Sequence, residues 1–232
     1  IAVKKVALTD DFQLNVTGLL QAADQHTKLI WICSPNNPTG NCFKEDDIVS
    51  LLNKFDGIVV IDEAYIDFAP EKSFLPKLNQ YQNLVILQTL SKAWGMAGIR
   101  LGMAFASTEI IKVLSKIKYP YNLNILTQKK ALELIVHKSQ TDEWVTLLIK
   151  ERQALADELG KLKLVEYIYP SDANFLLIKT AEPKKIYNYL VDKKIIIRDR
   201  SSVTLCAGCL RITVGSSEEN NALLEALKAY NN

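Results

Sequence analysis

Three short, almost wholly apolar runs, Leu29 to Cys33, Ile58 to Ile61 and Leu84 to Leu87, are separated by helical or polar stretches. A strand that is apolar at every position has both faces buried, the condition of a mostly parallel sheet covered by helices on both sides. The spacing predicts an α/β fold, and a fourth run, Met103 to Ala106, extends the series. Open sheets of this kind keep their ligands outside the carboxyl ends of the strands. The residues that follow the runs are therefore the candidates for function.

Between the first two runs, Ile48, Leu51 and Leu52 give the stretch from Lys44 to Asn53 a helical stripe. Ile110, Ile111, Val113, Leu114 and Ile117 form another, stopped by Pro120. After Asn124 the texture changes to long helices, with Trp144, Leu147, Leu148, Leu155 and Leu159 on one helix ending near Gly160. Strand candidates follow at Val165 to Tyr169, Phe175 to Lys179, Ile195 to Arg198 and Leu210 to Val214. A last helix opens on Ser216 and Glu219, the spacing of a capping box, with Leu223, Leu227 and Tyr230 as its stripe. This predicts a first domain over residues 1–130 and a smaller C-terminal α/β domain over 131–232. Ile1 to Val3 reads as a strand with no turn before it, so the chain is expected to be part of a longer protein.

The 232 residues carry a net charge of +2, and no basic run is interleaved with aromatics, which argues against nucleic acid. No stretch reaches the roughly 18 apolar residues of a membrane span, and none resembles a signal peptide. Small-molecule partners and a cytoplasmic setting are expected. Of the four cysteines, Cys206 and Cys209 have the spacing of a redox or zinc half-site, but a strand-like Leu-Arg-Ile-Thr-Val follows them directly. They read as small buried or turn cysteines, and no metal is expected.

The run ends carry the chemistry. Ser34-Pro-Asn-Asn-Pro-Thr-Gly40 is a turn, either a plain connection or a rigid mount that offers the amide of Asn37 to a ligand oxygen. The second run ends in Asp62-Glu63-Ala64-Tyr65. That also describes the metal-holding strand of a P-loop nucleotidase, but the loop such an enzyme requires is not in these residues. Alternatively, Asp62 pairs with a cationic ring nitrogen, and Tyr65 reaches the same ligand from the side. Past the third run, Thr89 and Ser91 supply hydroxyls, Lys92 an amine and Arg100 a guanidinium. Hydroxyls with an arginine grip a phosphate dianion, and a lysine amine can form a Schiff base. Arg198 and Arg211 lie at or in later strand candidates. Either could be a surface residue, but a guanidinium inside an apolar strand such as that of Arg211 is costly to bury without use. A Schiff-base lysine, an acid for a ring nitrogen and donors for a phenolic oxygen and a phosphate together suit pyridoxal phosphate.

On these motifs the chain resembles the fold-type I aminotransferases, and most closely their histidinol-phosphate branch. Ser34 to Gly40, Val60 to Tyr65 and Thr89 to Lys92 with Arg100 carry the superfamily likeness. Arg198 and Arg211, set in Ile197-Arg-Asp and Gly208-Cys-Leu-Arg-Ile-Thr-Val-Gly, carry the branch. The resemblance implies the large domain of a pyridoxal-phosphate transferase plus a smaller domain. It implies Lys92 as Schiff-base lysine and proton carrier, and Asp62 on the pyridine nitrogen. Asn37 and Tyr65 would bind the ring oxygen, and Ser91, Arg100 and more weakly Thr89 the phosphate. Arg211 would take the α-carboxylate and, with Arg198, the substrate phosphate. It further implies L-histidinol phosphate and 2-oxoglutarate as substrates, glutamate as product and a homodimer. A threonine-phosphate decarboxylase, an aromatic aminotransferase and an inactive fragment are the rival readings. The family's upstream Gly-rich loop and the tyrosine lent to a partner subunit are not among these residues, so weak or absent cofactor binding is expected of this chain alone.

Overall fold

Leu29–Cys33, Ile58–Asp62 and Leu84–Thr89 form strands β1, β2 and β3 of a single sheet, running parallel in that order. The register sets Ile30 beside Val59 and Ile61 beside Ile86. Gly102–Ala106, β4, also joins the sheet, but it runs antiparallel to β3, with Thr89 opposite Gly102. The expectation of one more parallel run is corrected here. The connection from Leu90 to Leu101 is taken up by a turn and one short 3-10 helix, leaving no crossover helix to carry the chain back along the sheet.

These strands belong to the computed structural model, which describes residues 1–230 and divides the chain into two units. The first holds residues 1–35 and 42–144, the second 36–41 and those from 145 onward. The division falls inside helix α5 (Lys138–Leu159), whereas the sequence texture changes near residue 130.

In the first unit, one sheet face buries Ile30, Ile32, Val59, Ile61, Leu84 and Ile86 against Ile48, Leu51 and Leu52 of helix α2 (Glu45–Lys54). That is the expected stripe, and α2 has three acids in its first turn and Lys54 in its last, as the helix dipole favours. Helix α1 (Val16–Ala22) is capped by Asn15 and adds Leu19 and Leu20 to the same core. β1 is not buried on both faces as expected. As the outer strand it alternates, with Leu29 and Trp31 exposed. Ile1 to Val3 forms no strand; the three residues are exposed. Helix α3 (Thr108–Ile117) is followed by α4 (Ile125–Ile135), whose N-cap Asn124 accepts from the Thr127 N–H. Ala131 of α4 is buried with Leu90 and Met96.

The second unit is an antiparallel sheet in the order β5 (Tyr167–Tyr169), β6 (Phe175–Lys179), β8 (Cys209–Thr213), β7 (Arg198–Asp199). One face, with Leu176, Ile178, Leu210 and Ile212, packs on Leu155 and Leu159 of α5. Ile186 and Leu190 of α6 (Pro183–Asp192) and Leu223 and Leu227 of α7 (Ser217–Tyr230) complete that core. The strand expected from Ile195 begins only at Arg198. Lys194 is left-handed (φ 62°) and the Ile195 N–H closes α6 by donating to Leu190 O. The capping box is present: the Ser216 N–H donates to Glu219 Oε2 (2.9 Å) and the Glu219 N–H to Ser216 Oγ (3.3 Å). Among the described residues no helix is long and apolar enough to cross a membrane.

Candidate active site

In the first unit the ends of β2 and β3 bring six of the sequence candidates to one end of the sheet. Asp62 closes β2, and its Oδ1 accepts from the Ala64 N–H (3.1 Å), which starts the turn into a 3-10 helix at Ile66–Phe68. Tyr65, just before that helix, is buried. Thr89 ends β3, and its hydroxyl both donates to Leu101 O (3.2 Å) and accepts from the Ser91 N–H (3.1 Å). The Thr89 hydroxyl hydrogen is thus committed to the protein, which leaves Ser91 the better placed of the two hydroxyls to donate to a phosphate.

The turn that follows is rooted by buried Leu90 and Met96, with the Met96 N–H donating to Leu90 O (3.0 Å). Gly95 closes it at φ 65°, a conformation that costs other residues strain. Lys92 stands on the exposed side of this turn, its Nζ 5.0 Å from the centroid of the Tyr65 ring. Arg100 is exposed, left-handed at φ 54°, and donates from Nη1 to Ala97 O (2.9 Å). An open pocket of about 420 Å³ is lined by Asp62, Ala64, Gln88, Thr89, Gly102 and Met103, among others. It takes in Asp62 and Thr89, but not Tyr65, Ser91, Lys92 or Arg100.

Asn37, Arg198 and Arg211 belong to the second unit. The turn carrying Asn37 is braced internally by the Gly40 N–H to Asn36 O (2.7 Å) and by Asn36 Nδ2 to Thr39 Oγ1 (2.7 Å). The Asp172 N–H donates to Gly40 O (2.7 Å), and Arg211 Nη1 donates to Asn37 Oδ1 (2.7 Å). Arg211 also lies over the Phe175 ring at 4.9 Å. Arg198 pairs directly opposite Arg211 across β7 and β8. Two like charges facing each other on one sheet face are unfavourable by themselves and favour an anion.

Two acids were not singled out by the sequence reading. Glu63 is buried, and burial raises its carboxyl above the usual range, against hydrogen bonds from Gln88, the Phe74 N–H and Ser73. Burial likewise raises Asp67, which takes a hydrogen bond from the Trp94 side chain, two residues past Lys92. The available signal for Glu63 was its place directly after a buried run. Both thiols of the Cys206-Cys209 pair are buried, with Cys206 pushed up to about 11 and Cys209 raised, mainly by burial. That environment suits inert side chains better than metal-ligating thiolates.

The aminotransferase class I and II model matches residues 1–227. Histidinol-phosphate aminotransferase of Cytophaga hutchinsonii is 56% identical over 99% of this chain, and the chain spans 66% of that relative's length. The histidinol-phosphate aminotransferase structure from Clostridium acetobutylicum superposes with a TM-score of 0.89 at 24% identity, covering 97% of this chain and 70% of that one, a likeness of fold. L-threonine-O-3-phosphate decarboxylase from Porphyromonas gingivalis superposes at 0.78 with 26% identity, covering 90% of this chain and 66% of that one. With strand-end residues of the expected kinds and a family match over nearly its whole length, this chain belongs to the aminotransferase class I and II family.

Proposed function

We propose that the chain is the lysine-bearing and substrate-binding part of a pyridoxal-phosphate transaminase. It would move an amino group between L-histidinol phosphate and 2-oxoglutarate, yielding glutamate, in histidine biosynthesis. The observation that carries this is the Lys92 amine over Tyr65, one strand from Asp62. The donor set fits the cofactor: an amine, an acid at the neighbouring strand end, the Ser91 hydroxyl and the exposed Arg100 guanidinium. Bound there, the cofactor supplies an electrophilic carbonyl and an electron sink.

The protein's own residues then have defined tasks. Lys92 would hold the cofactor through its Nζ and, with that amine released, would serve as the base that takes the proton from the substrate's α-carbon and as the acid that returns one. Asp62 would hold a proton on the pyridine nitrogen, and Tyr65 would donate to the ring oxygen. Asn37, oriented by Arg211, keeps its amide N–H for a ligand oxygen, while Arg211 and Arg198 receive the substrate's anionic groups. The 56% identity with the Cytophaga enzyme favours histidinol phosphate as amino donor. A second copy of the chain as partner and a cytoplasmic setting complete the reading.

The test is to add pyridoxal phosphate and record the visible band of the lysine-bound cofactor. The parent chain should show it and Lys92→Ala should not; a band that persists in the variant removes Lys92 from the role. The likeness to a threonine-phosphate decarboxylase supports a second reading. Release of carbon dioxide from a phosphorylated amino acid, in place of glutamate formation, would establish it.

A further inference from the structure

We infer that Glu63 is a positioning residue for the Lys92 site, locking the end of β2 to the end of β3 through its buried carboxylate. The side chain is 1% exposed. Ser73 Oγ and Gln88 Nε2 both donate to its Oε2, at 2.8 and 2.9 Å, and the Phe74 N–H donates to its Oε1 at 2.7 Å. Its own N–H donates to Leu87 O (2.8 Å), and its carbonyl accepts from the Ile66 N–H (3.0 Å). One residue therefore joins β2 to β3 through main chain and side chain at once.

The placement gives these bonds their meaning. Glu63 directly follows Asp62 and precedes Tyr65 by two residues. Gln88 directly precedes Thr89, whose hydroxyl receives the Ser91 N–H just before Lys92. Asp62, Gln88 and Thr89 also line the same pocket. Packing alone does not call for an acid here, since an apolar residue of similar volume in place of a buried charge is often as stable or more so. What the carboxylate adds is direction: three donors from two other segments fix where the Asp62 and Lys92 strand ends lie. Such supporting contacts decide whether a site holds its geometry.

This rests on the proposed cofactor site, and the experiment separates the two. The parent chain and its Lys92→Ala, Glu63→Gln and Gln88→Leu variants are titrated with pyridoxal phosphate, and the visible band is followed against pH. Amide hydrogen exchange of residues 61–66 and 86–93 is measured without the cofactor. Glu63→Gln should bind pyridoxal phosphate about tenfold more weakly, the scale of one hydrogen bond to a charged group. It should also shift the pH midpoint of the band and speed exchange at both strand ends, and Gln88→Leu should do the same. A loss of stability alone would leave the midpoint where it is. A folded Glu63→Gln with the parent's affinity, midpoint and exchange overturns the inference, and Gln88→Leu decides if Glu63→Gln does not fold. A parent without the band favours the inactive fragment over the cofactor site, and exchange then decides the role of Glu63: faster exchange at both ends supports it, unchanged exchange overturns it.

Discussion

Arg211 Nη1 donates to Asn37 Oδ1 at 2.7 Å across 174 positions of sequence, within one compact unit. With the Phe175 ring 4.9 Å from its guanidinium carbon, Arg211 is held by a hydrogen bond on one side and by stacking on the other. A lysine keeps the charge but neither the fork nor the stacking plane. Arg211→Lys is expected to weaken binding of a dicarboxylate such as glutarate about tenfold, the scale of one charge-assisted hydrogen bond. Asn37→Ala should cost less, because it removes the guide and leaves the guanidinium. Calorimetric titration of both variants checks the order, and an Asn37→Ala loss as large as that of Arg211→Lys would contradict it.

The turn that carries Asn37 depends on Gly40, which sits at φ 86°. A methyl group there would stand 2.5 Å from Ser171 Oγ and 2.9 Å from its Cβ. That serine has little room to yield, since its hydroxyl donates to Phe175 O (2.6 Å) and accepts from the Ala173 N–H (3.1 Å). Gly40→Ala should therefore destabilise the fold by about 1–3 kcal/mol, strain and contact acting together. Urea denaturation measures it. Adding Ser171→Gly should recover the contact part and leave the strain.

Much of this was readable before the fold was known, and the reasons are local. Ile48, Leu51 and Leu52 mark α2, and Ser216 with Glu219 marks the start of α7, because periodicity and capping are written in neighbouring residues. Lys92, Asp62 and Tyr65 stood out as chemistry at the ends of apolar runs, and the fold sets the lysine over the tyrosine. The direction of β4 did not stand out, because strand polarity depends on what the connection can span. Nor did the one-sided burial of β1, which depends on what packs on each face. Glu63 escaped notice for the same reason: its donors Ser73, Phe74 and Gln88 come from other segments, and sequence spacing does not show them converging.

The Cys206 and Cys209 thiols are a case where spacing suggested a function and burial points elsewhere. With Cys206 pushed up to about 11 and Cys209 also raised, neither supplies much thiolate near neutrality. A thiol reagent at pH 8 should label both slowly in the folded chain and at the rate of a free thiol in denaturant. Half-buried Cys33, whose Sγ donates to Pro35 O, serves as an internal comparison. Fast labelling of Cys206 in the native protein would show that the turn opens or that the thiol is ionised.

Glu63 also makes a prediction about pH. Burial raises its carboxyl above the ordinary 4.5, so between that value and the raised one the folded chain holds the proton more than the unfolded chain does. Its contribution to stability is then fully present below the window and is lost as pH rises through it. Asp67 is raised in the same direction, but it is common to parent and variant and largely cancels in their difference. The unfolding free energy of the parent minus that of Glu63→Gln should therefore decrease as pH rises through the weakly acidic range. Urea titrations at a series of pH values measure that difference. A difference that increased with pH would mean that the three donors outweigh burial, with the folded state favouring the carboxylate more strongly than water does.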